Sequence, residues 1–420
     1  MTRLVLLACC LFAMTGVHAQ DVLIRHATVH TAGVRGTLHD ADVLVRGGII
    51  RAVGNHLPIT PGVKVFEAGG KALTPGLFGG LSDIGLEEVS SEKTTIDSTL
   101  NLVSANAGQM RPEFDVSPAF NPASILIPVA RLGGITFTVL AANNSGSLIA
   151  GQGGVVRLDG DPSASMTGAR VLYINLGSGA DGVSGGSRAG QYMLLDQAIR
   201  EARGLAPYAS PYALLTPAGR ETLRHYLSGG RIIFAVERAS DIHQLLAFCR
   251  QHALHPIIAG ASEGWKVAAE LKAAKVTVFV NALQNLPSSF DQLGSRLDNA
   301  ALLARAGVHV ALLSPDATQN ARTIRQAAGN AVANGLPWDD GLAAITRVPA
   351  DALGVGDKLG RIDVGRIADL VLWDGDPLEV SSLAEAVWMH GESMPMRSRQ
   401  TLLRDRYQQQ AGPLPRAYQH

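Results

Sequence analysis

Cysteine and aromatic residues are scarce in this sequence. Only three of its 420 residues are cysteines, and Cys9 and Cys10 both lie in the first ten residues. If the N-terminal segment is removed from the mature chain, Cys249 remains alone, which excludes an intramolecular disulfide. Aromatic residues make up 5% of the chain. We therefore expect a fold that is held together by an aliphatic core rather than by covalent cross-links.

An excess of charge of either sign is also missing. Lys and Arg together number 36, as do Asp and Glu, and charged residues make up only 17% of the chain. This balance argues against nucleic acid or an anionic membrane surface as a partner. Hydrophobic residues account for 46%, which is enough for a large buried core. No run beyond the first 20 residues approaches the roughly 18 apolar residues of a membrane-spanning helix.

The first 19 residues have the pattern of a secretory signal peptide. Arg3 provides a positive start, residues 4–14 are apolar, and 17–19 (Val-His-Ala) form a small-residue cleavage site. We expect the mature chain to begin at Gln20 or Asp21, and the protein to be exported, most simply to the periplasm. Cys249, the one cysteine outside this segment, falls on the apolar face of a predicted helix. This position favours a buried, inert thiol over a nucleophile.

Both ends of the mature chain have β character. The segment ADVLVRGGIIRAVG contains two alternating runs around Gly47-Gly48, which predicts a β-hairpin. Similar character returns in GRIDVGRIADLVLWDGDPL, residues 360–378. We predict that residues 20–75 and 361–403 form one composite β-sandwich. Residues 404–420 are polar and contain proline, so we expect a loose C-terminal tail.

Between these ends, short apolar runs alternate with helix-like stretches. Continuous apolar strands that alternate with helices predict a parallel sheet buried on both faces. We therefore predict an α/β fold for residues 76–360, a TIM-like (β/α)8 barrel, with an open doubly wound sheet as the alternative. One helix is expected to begin at Ser240. Seven runs are visible and an eighth is not: 77–83, 134–141, 170–177, 231–237, 255–260, 276–282 and 308–315.

Two segments resemble the amidohydrolase superfamily. GKALTPGLFGGLSDIG, residues 70–85, is similar to the first barrel strand of that family, and residues 343–379 are similar to its closing segment. SILIPVARLGGITFTVLA, GQGGVVRLDG and GSRAG resemble exported imidazolonepropionase-like members. The resemblance covers nearly the whole mature chain. It implies a metal-dependent barrel with a composite β domain and, as the default chemistry, hydrolysis of non-peptide C–N bonds.

The residues at the family's metal-ligand positions do not match that chemistry. In the family, Pro-Gly on the first strand is followed by two apolar residues, Asp, any residue, His, any residue and His. Aligned on Pro-Gly at 75–76, the two His positions hold Leu81 and Asp83. The His residues that end strands five and six correspond to Ala235 and Ala259. The residue that bridges two metals in many relatives, on strand four, is not identifiable because that strand is not recognised.

The catalytic base that the resemblance implies corresponds to Asp316. This residue follows the eighth strand in VALLSPDATQN, and Pro315 leaves its register uncertain by one position. A role as a helix-capping residue is at least as compatible with its surroundings. The chain has 12 histidines, none of which falls at the carboxyl end of a predicted barrel strand. No Gly-x-Ser-x-Gly elbow or dinucleotide fingerprint is present either.

Three functions are compatible with a family resemblance in which the metal ligands are missing. The first is a degenerate member that has lost its metal and most or all of its activity, and that acts as a binding or partner subunit. The second is an active hydrolase with a carboxylate-based metal site formed by Asp83, Glu237, Glu263 and Asp316, each of which follows a predicted strand. The third is a periplasmic small-molecule binding protein whose glycine-rich loops at 143–147 and 177–188 cover the barrel mouth.

We predict the first of these functions. The expected cofactor is none, and if a divalent metal binds at all, Asp83 and Asp316 are its expected ligands. Glu237 has a simpler explanation as an ion-pair partner of Arg238 or Arg188, and Glu263 as the start of a helix. Expected partners are a second copy of the chain or an active relative, together with an unidentified small molecule.

Overall fold

The computed structural model of the chain describes residues 21–101, 110–144, 146–206, 211–314 and 318–408. The predicted signal peptide, Asp316 and the end of the predicted tail lie outside these residues. None of the described helices is long and apolar enough to cross a membrane.

Eighteen strands are described, most of them four to eleven residues long. In chain order they are β1 (Val22–His30), β2 (Thr37–Arg46), β3 (Ile49–Gly54), β4 (Lys64–Glu67), β5 (Ala72–Pro75), β6 (Leu77–Ser82), β7 (Thr99–Leu100), β8 (Ile135–Leu140), β9 (Asn143–Asn144), β10 (Ile149–Arg157), β11 (Ser165–Asn175), β12 (Arg231–Val236), β13 (Pro256–Gly260), β14 (Thr277–Val280), β15 (His309–Leu312), β16 (Leu370–Trp373), β17 (Ala384–Met389) and β18 (Glu392–Ser393).

Ten α-helices accompany these strands in the described residues. They are α1 (Leu126–Leu132), α2 (Arg188–Ala202), α3 (Pro217–Leu227), α4 (Ala239–His252), α5 (Ala268–Ala273), α6 (Asn299–Arg305), α7 (Thr323–Ala333), α8 (Trp338–Ala343), α9 (Arg347–Ala352) and α10 (Arg399–Gln408). Residues 404–408, which we expected to be loose, are helical because they belong to α10.

Helix starts depend on local capping. Ser187 caps α2 by accepting a hydrogen bond from the Gly190 amide at 3.0 Å. In contrast, the prediction that a helix begins at Ser240 is wrong, because α4 already begins at Ala239. There the amide of Ala239 donates to the carboxylate of Glu263 at 3.1 Å, so a side chain distant in sequence satisfies the helix start.

One sheet combines the two ends of the chain. It contains β1 to β5 from the N-terminal part and β16 to β18 from the C-terminal part, in which β16 pairs antiparallel with β5. The predicted hairpin is confirmed, since β2 and β3 pair antiparallel across Gly47-Gly48. Both glycines have positive φ, 56° and 75°, which the tight connection requires.

The second sheet is the barrel wall, in the order β15-β14-β13-β12-β11-β10-β8-β6. Residues 344–345 close the gap between its outer strands. The Phe78 amide on β6 donates to the carbonyl of Ile345 at 2.8 Å, and the Leu312 amide on β15 donates to the carbonyl of Ala344 at 3.0 Å. The predicted TIM-like α/β barrel with a separate β domain is confirmed, and the open doubly wound alternative is wrong.

The strand that the sequence did not reveal is β10. It runs antiparallel to both of its neighbours, β8 and β11, whereas the other barrel pairs are parallel. Three of its nine residues are glycines, so it lacks the continuous apolar pattern. Gly153 is required by packing, because a Cβ there would lie 2.0 Å from the carbonyl oxygen of Leu140 on β8.

A buried ion-pair network joins the barrel to the small sheet. Arg157 at the end of β10 donates to Asp369 through Nε at 3.2 Å and through a terminal nitrogen at 3.1 Å. Arg157 also lies 2.7 Å from Asp159. Burial opposes the charge of Arg157, but Asp369 and then Asp159 outweigh it and raise the pKa of the guanidinium. Arg157 therefore keeps its charge despite its burial.

We expect Asp369→Ala to destabilise the protein by about 3–5 kcal/mol, because the change leaves the buried Arg157 short of one of its two partners. Urea denaturation followed by circular dichroism measures the effect. The matched control is Asp405→Ala, which removes the partner of an exposed arginine, Arg404. This control is expected to cost less than about 1 kcal/mol. Equal losses for the two variants would contradict the role of the network.

Candidate functional site

The strand register identifies the side chains that face the barrel interior. The ring of Phe78 on β6 lies 5.4 Å from that of Phe137 on β8 and 6.0 Å from that of Phe279 on β14. Phe279 therefore points inward. It pairs directly with Ala259 on β13, which pairs with Ala235 on β12. Because paired residues on neighbouring strands face the same side of a sheet, both alanines point into the barrel.

Leu81 also faces the interior, through a bulge in β6. Phe78 pairs with Phe137, and Leu81 pairs with Val139, so one extra residue is accommodated in β6. Gly80 supplies it, with a φ of 94° that disfavours any other residue. Phe137 and Val139 are two residues apart and therefore face the same side. Leu81 consequently lies on the same inner face as Phe78.

The fourth barrel strand, which the sequence did not locate, ends at Asn175. Counted from β6 through β8 and β10, the fourth strand is β11, and its Asn175 pairs with Ala235. Asn175 was missed because β10, the strand before it, was not recognised. The only available signal was the apolar run that ends at this residue.

The inner positions at the carboxyl ends of these strands do not fit a divalent metal. They hold three hydrocarbon side chains and one carboxamide, from Leu81, Ala235, Ala259 and Asn175. A catalytic metal needs about three donors of the imidazole, thiolate or carboxylate type. An amide oxygen alone does not meet that need.

Among the described carboxylates at this end of the barrel, Asp83, directly after β6, has a large pKa shift. Burial raises the pKa of Asp83 to about 6, the charge of Glu87 adds to the rise, and a hydrogen bond from Ser98 opposes it. Burial also raises the pKa of Tyr173 on β11, and Asp83 contributes to that shift. The Tyr173 hydroxyl donates to the carbonyl of Leu140 at 2.9 Å. The surroundings of Asp83 and Tyr173 therefore favour their uncharged forms.

Glu237 and Glu263 serve the structure of the loops that carry them. The carboxylate of Glu237 accepts hydrogen bonds from the amide and hydroxyl of Ser262, at 2.9 and 2.6 Å. The predicted pairing of Glu237 with Arg238 or Arg188 is therefore wrong. Glu263 accepts from Lys266 at 2.7 Å. Burial opposes the charge of Glu263, but its hydrogen bonds, led by that from Lys266, lower its pKa overall.

The predicted carboxylate site is not assembled by its described members. Across residues 21–101, 110–144, 146–206, 211–314 and 318–408, no group of three or more His, Cys, Asp and Glu side chains is arranged to hold a metal ion. Asp316 lies outside these ranges, so its predicted catalytic role stays a prediction. Cys249 is buried, and burial raises the pKa of its thiol to about 12, as expected for an inert residue.

An ion-pair network holds the rim of the barrel mouth. Arg188, at the start of α2, donates to Asp241 of α4 at 2.8 Å and also pairs with Asp291, in the loop after β14. Asp291 in turn accepts from the amide of Ser178 at 2.7 Å. The loops that follow β11, β12 and β14 are thus tied together by protein groups.

A comparison with models of known protein families finds a match, which lies in the second half of the chain. Residues 225–395 match the model of the amidohydrolase family. "Amidohydrolase tasK" from Hapsidospora irregularis is 38% identical over 90 residues, which are 21% of this chain and 9% of that protein. "Imidazolonepropionase" from Acidiphilium cryptum (strain JF-5) is 30% identical over 194 residues, 36% of this chain and 47% of that protein. The chain thus spans less than half the length of either relative.

Solved structures show that the likeness in fold is more extensive. An amidohydrolase from Thermotoga maritima MSB8 aligns with a TM-score of 0.79 and 24% identity, covering 90% of this chain and 100% of that one. Molinate hydrolase aligns with a TM-score of 0.54 and 17% identity, covering 90% and 95%. At these identities the likeness shows the fold alone.

The pKa of Asp83 generates a prediction about stability. Because the folded-state pKa of about 6 lies above the ordinary value of 3.8, the stabilising contribution of this group is complete below pH 3.8 and is lost as the pH rises through 6. Asp83→Asn should therefore be more stable than the unmodified protein at pH 8, by roughly 2–3 kcal/mol at 1.36 kcal/mol per pKa unit. The difference should vanish near pH 4 in urea denaturation curves.

Glu92→Gln is the control for this experiment. Glu92 lies in the same loop, is exposed, and has a pKa lowered by hydrogen bonds from Thr94. Any effect of its substitution should have the opposite sign, with the unmodified protein favoured at high pH. A stability difference for Asp83→Asn that does not change between pH 4 and pH 8 would contradict the assigned burial.

Proposed function

The resemblance to the amidohydrolase superfamily is confirmed by the family match over residues 225–395 and by the fold, and on that premise we propose a degenerate member. In this proposal the chain keeps the barrel and has lost metal-dependent C–N hydrolysis. It acts as a binding or partner subunit. The predicted signal peptide places it outside the cytoplasm, in the periplasm, as part of the same proposal.

The observation that carries the proposal is the identity of the inner side chains at the strand ends. Leu81, Ala235 and Ala259 share the interior face with the phenylalanine cluster and have no lone pairs to offer a metal. Metal coordination lowers the pKa of water from 15.7 to about 7. At 1.36 kcal/mol per unit, that change favours hydroxide by on the order of 10 kcal/mol.

The remaining carboxylates do not replace that contribution. A positioned general base supplies about 10²–10⁴-fold, which is roughly 3–5 kcal/mol. Asp83 is available for such a role near pH 6. It acts beside an apolar wall, however, and Glu237 and Glu263 are already engaged in loop hydrogen bonds. Without a metal, the stabilisation of the usual hydrolytic transition state is therefore smaller by about 5–7 kcal/mol.

A binding role fits the features that persist at the mouth. The pairing of Arg188 with Asp241 and Asp291 ties three loops together. The interior beneath them combines an apolar wall with the carboxamide of Asn175. A concave apolar surface with a few polar groups is the usual form of a small-molecule site. The binding role therefore uses the same mouth that carries the active site in related barrels.

We expect less than about 0.1 metal ion per chain in protein purified from its native compartment, because the inner positions lack donors. Elemental mass spectrometry of the purified, unchelated protein measures this directly. A value near one zinc, manganese or magnesium per chain would overturn the proposal in favour of the carboxylate-based hydrolase. Separate Asp83→Asn and Asp316→Asn substitutions would then identify which carboxylates hold the ion.

A gain-of-binding variant tests the register itself. In the combined variant Leu81→His, Ala235→His and Ala259→His, three imidazoles face one interior, and we expect about one zinc per chain after zinc loading and dialysis. Ala235→His alone is the matched control and should retain less than about 0.1 zinc. A combined variant that folds normally by circular dichroism yet binds no zinc would contradict the assignment of these positions to the interior.

A further inference from the structure

The amino end of the barrel, opposite the mouth, carries a groove and an adjoining pocket. The groove has a volume of about 520 Å³, an apolar floor that includes Leu246 and Leu254, and a rim that includes Arg250 and His255. The pocket, of about 260 Å³, is lined by basic side chains at 272, 275 and 309. The two meet at residues 272–275, where α5 leads into β14. We refer to them together as the amino-end groove.

Cationic side chains at this groove lack counter-charges. In the described part of the chain, no carboxylate lies within ion-pair distance of Lys272, Lys275 or Arg250. The single carboxylate in the lining, Glu270, is engaged by the ring of His243 at 2.7 Å. The groove therefore carries a local excess of positive charge, although the chain as a whole has equal numbers of basic and acidic residues.

The backbone holds part of this charge in place. Gly307 has a φ of 80°, and a Cβ there would lie 3.1 Å from the Nζ of Lys272, so the lysine side chain lies across this glycine. Lys275 has a φ of 54° and lies two residues before the start of β14. Lys272 thus lies in the last turn of α5, and Lys275 lies on the short connection from α5 to β14.

An apolar floor with a basic rim specifies the chemistry of an occupant. Carboxylates would approach the unpaired cations, and apolar side chains would contact the apolar floor that includes Leu246 and Leu254. Charge complementarity of this kind steers association and fixes orientation. A purely inorganic anion would leave the apolar floor in water, whereas a neutral peptide would leave the cations unpaired.

We propose that the amino-end groove binds an acidic, amphipathic peptide segment of a partner protein. This inference rests on the proposed role as a partner subunit and names the chemistry of the partner. The groove lies at the end of the barrel opposite Leu81, Ala235 and Ala259. Partner binding is therefore independent of whether the mouth holds a metal or a small molecule.

The test uses the full-length mature protein and a fluorescein-labelled synthetic peptide of alternating Glu and Leu. Fluorescence anisotropy should show saturable binding that weakens with added potassium chloride, because salt screens exposed charges. The combined variant Lys272→Glu and Lys275→Glu should weaken binding at least about tenfold. Lys64→Glu combined with Lys93→Glu changes the net charge equally at two exposed lysines elsewhere. This control should stay within about twofold.

Two altered peptides separate the contributions of charge and apolar contact. Replacement of Glu by Gln, or of Leu by Ser, should each weaken binding at least about tenfold. Equal binding of the Ser peptide would overturn the proposal by reducing the groove to a simple anion site. Equal loss in the two double-lysine variants would overturn it by showing a non-specific charge effect, as would an absence of binding.

Metal analysis of the same samples keeps the two proposals separable. About one metal ion per chain with intact peptide binding would overturn the degenerate-member proposal and leave the groove assignment standing. Less than about 0.1 metal ion with no peptide binding would do the reverse.

Discussion

The position of Asp369 determines how the two parts of the molecule meet. Its carbonyl accepts the amide of Gly76 at 2.8 Å, and its carboxylate accepts Arg157 and the amide of His390. A Cβ on Gly76 would lie 2.0 Å from the Thr136 hydroxyl, so the chain passes from β5 into β6 at this glycine without space for any other residue. This junction sets the start of β6, and with it the height at which Leu81 and Asp83 reach the barrel mouth.

Hydrocarbon at the ligand positions is compatible with an intact fold. Metal-ligating imidazoles without their metal would be buried polar groups, and each would cost free energy unless it found a new partner. Leu81, Ala235 and Ala259 avoid that cost. The rim around them is held instead by Arg188 and its two carboxylates, which are close enough to satisfy one another. Hydrocarbon side chains at these positions and an ordered mouth are therefore consistent with each other.

The barrel could be predicted from its apolar runs, since a strand buried on both faces has a continuous hydrophobic signature. β10 lacks that signature, because its glycines allow close approach to β8. Since β10 was not recognised, the strand that ends at Asn175 could not be identified as the fourth. The inward direction of Ala235 and Ala259 agrees with the family pattern. The partner of Glu237 was not predictable, because Ser262 is brought to it only by the pairing of β12 with β13.

The two ends of the barrel carry different kinds of chemistry, which follows from its architecture. Side chains at the mouth come from the carboxyl ends of strands, where the β6 bulge and the rim network hold them to a narrow geometry. The amino-end groove depends instead on two exposed lysines, one in the last turn of α5 and one on the connection to β14, where change does not disturb the core. Substitutions at the mouth and substitutions at the groove therefore act on separate ends of the barrel. Neither set requires the core between them to be repacked.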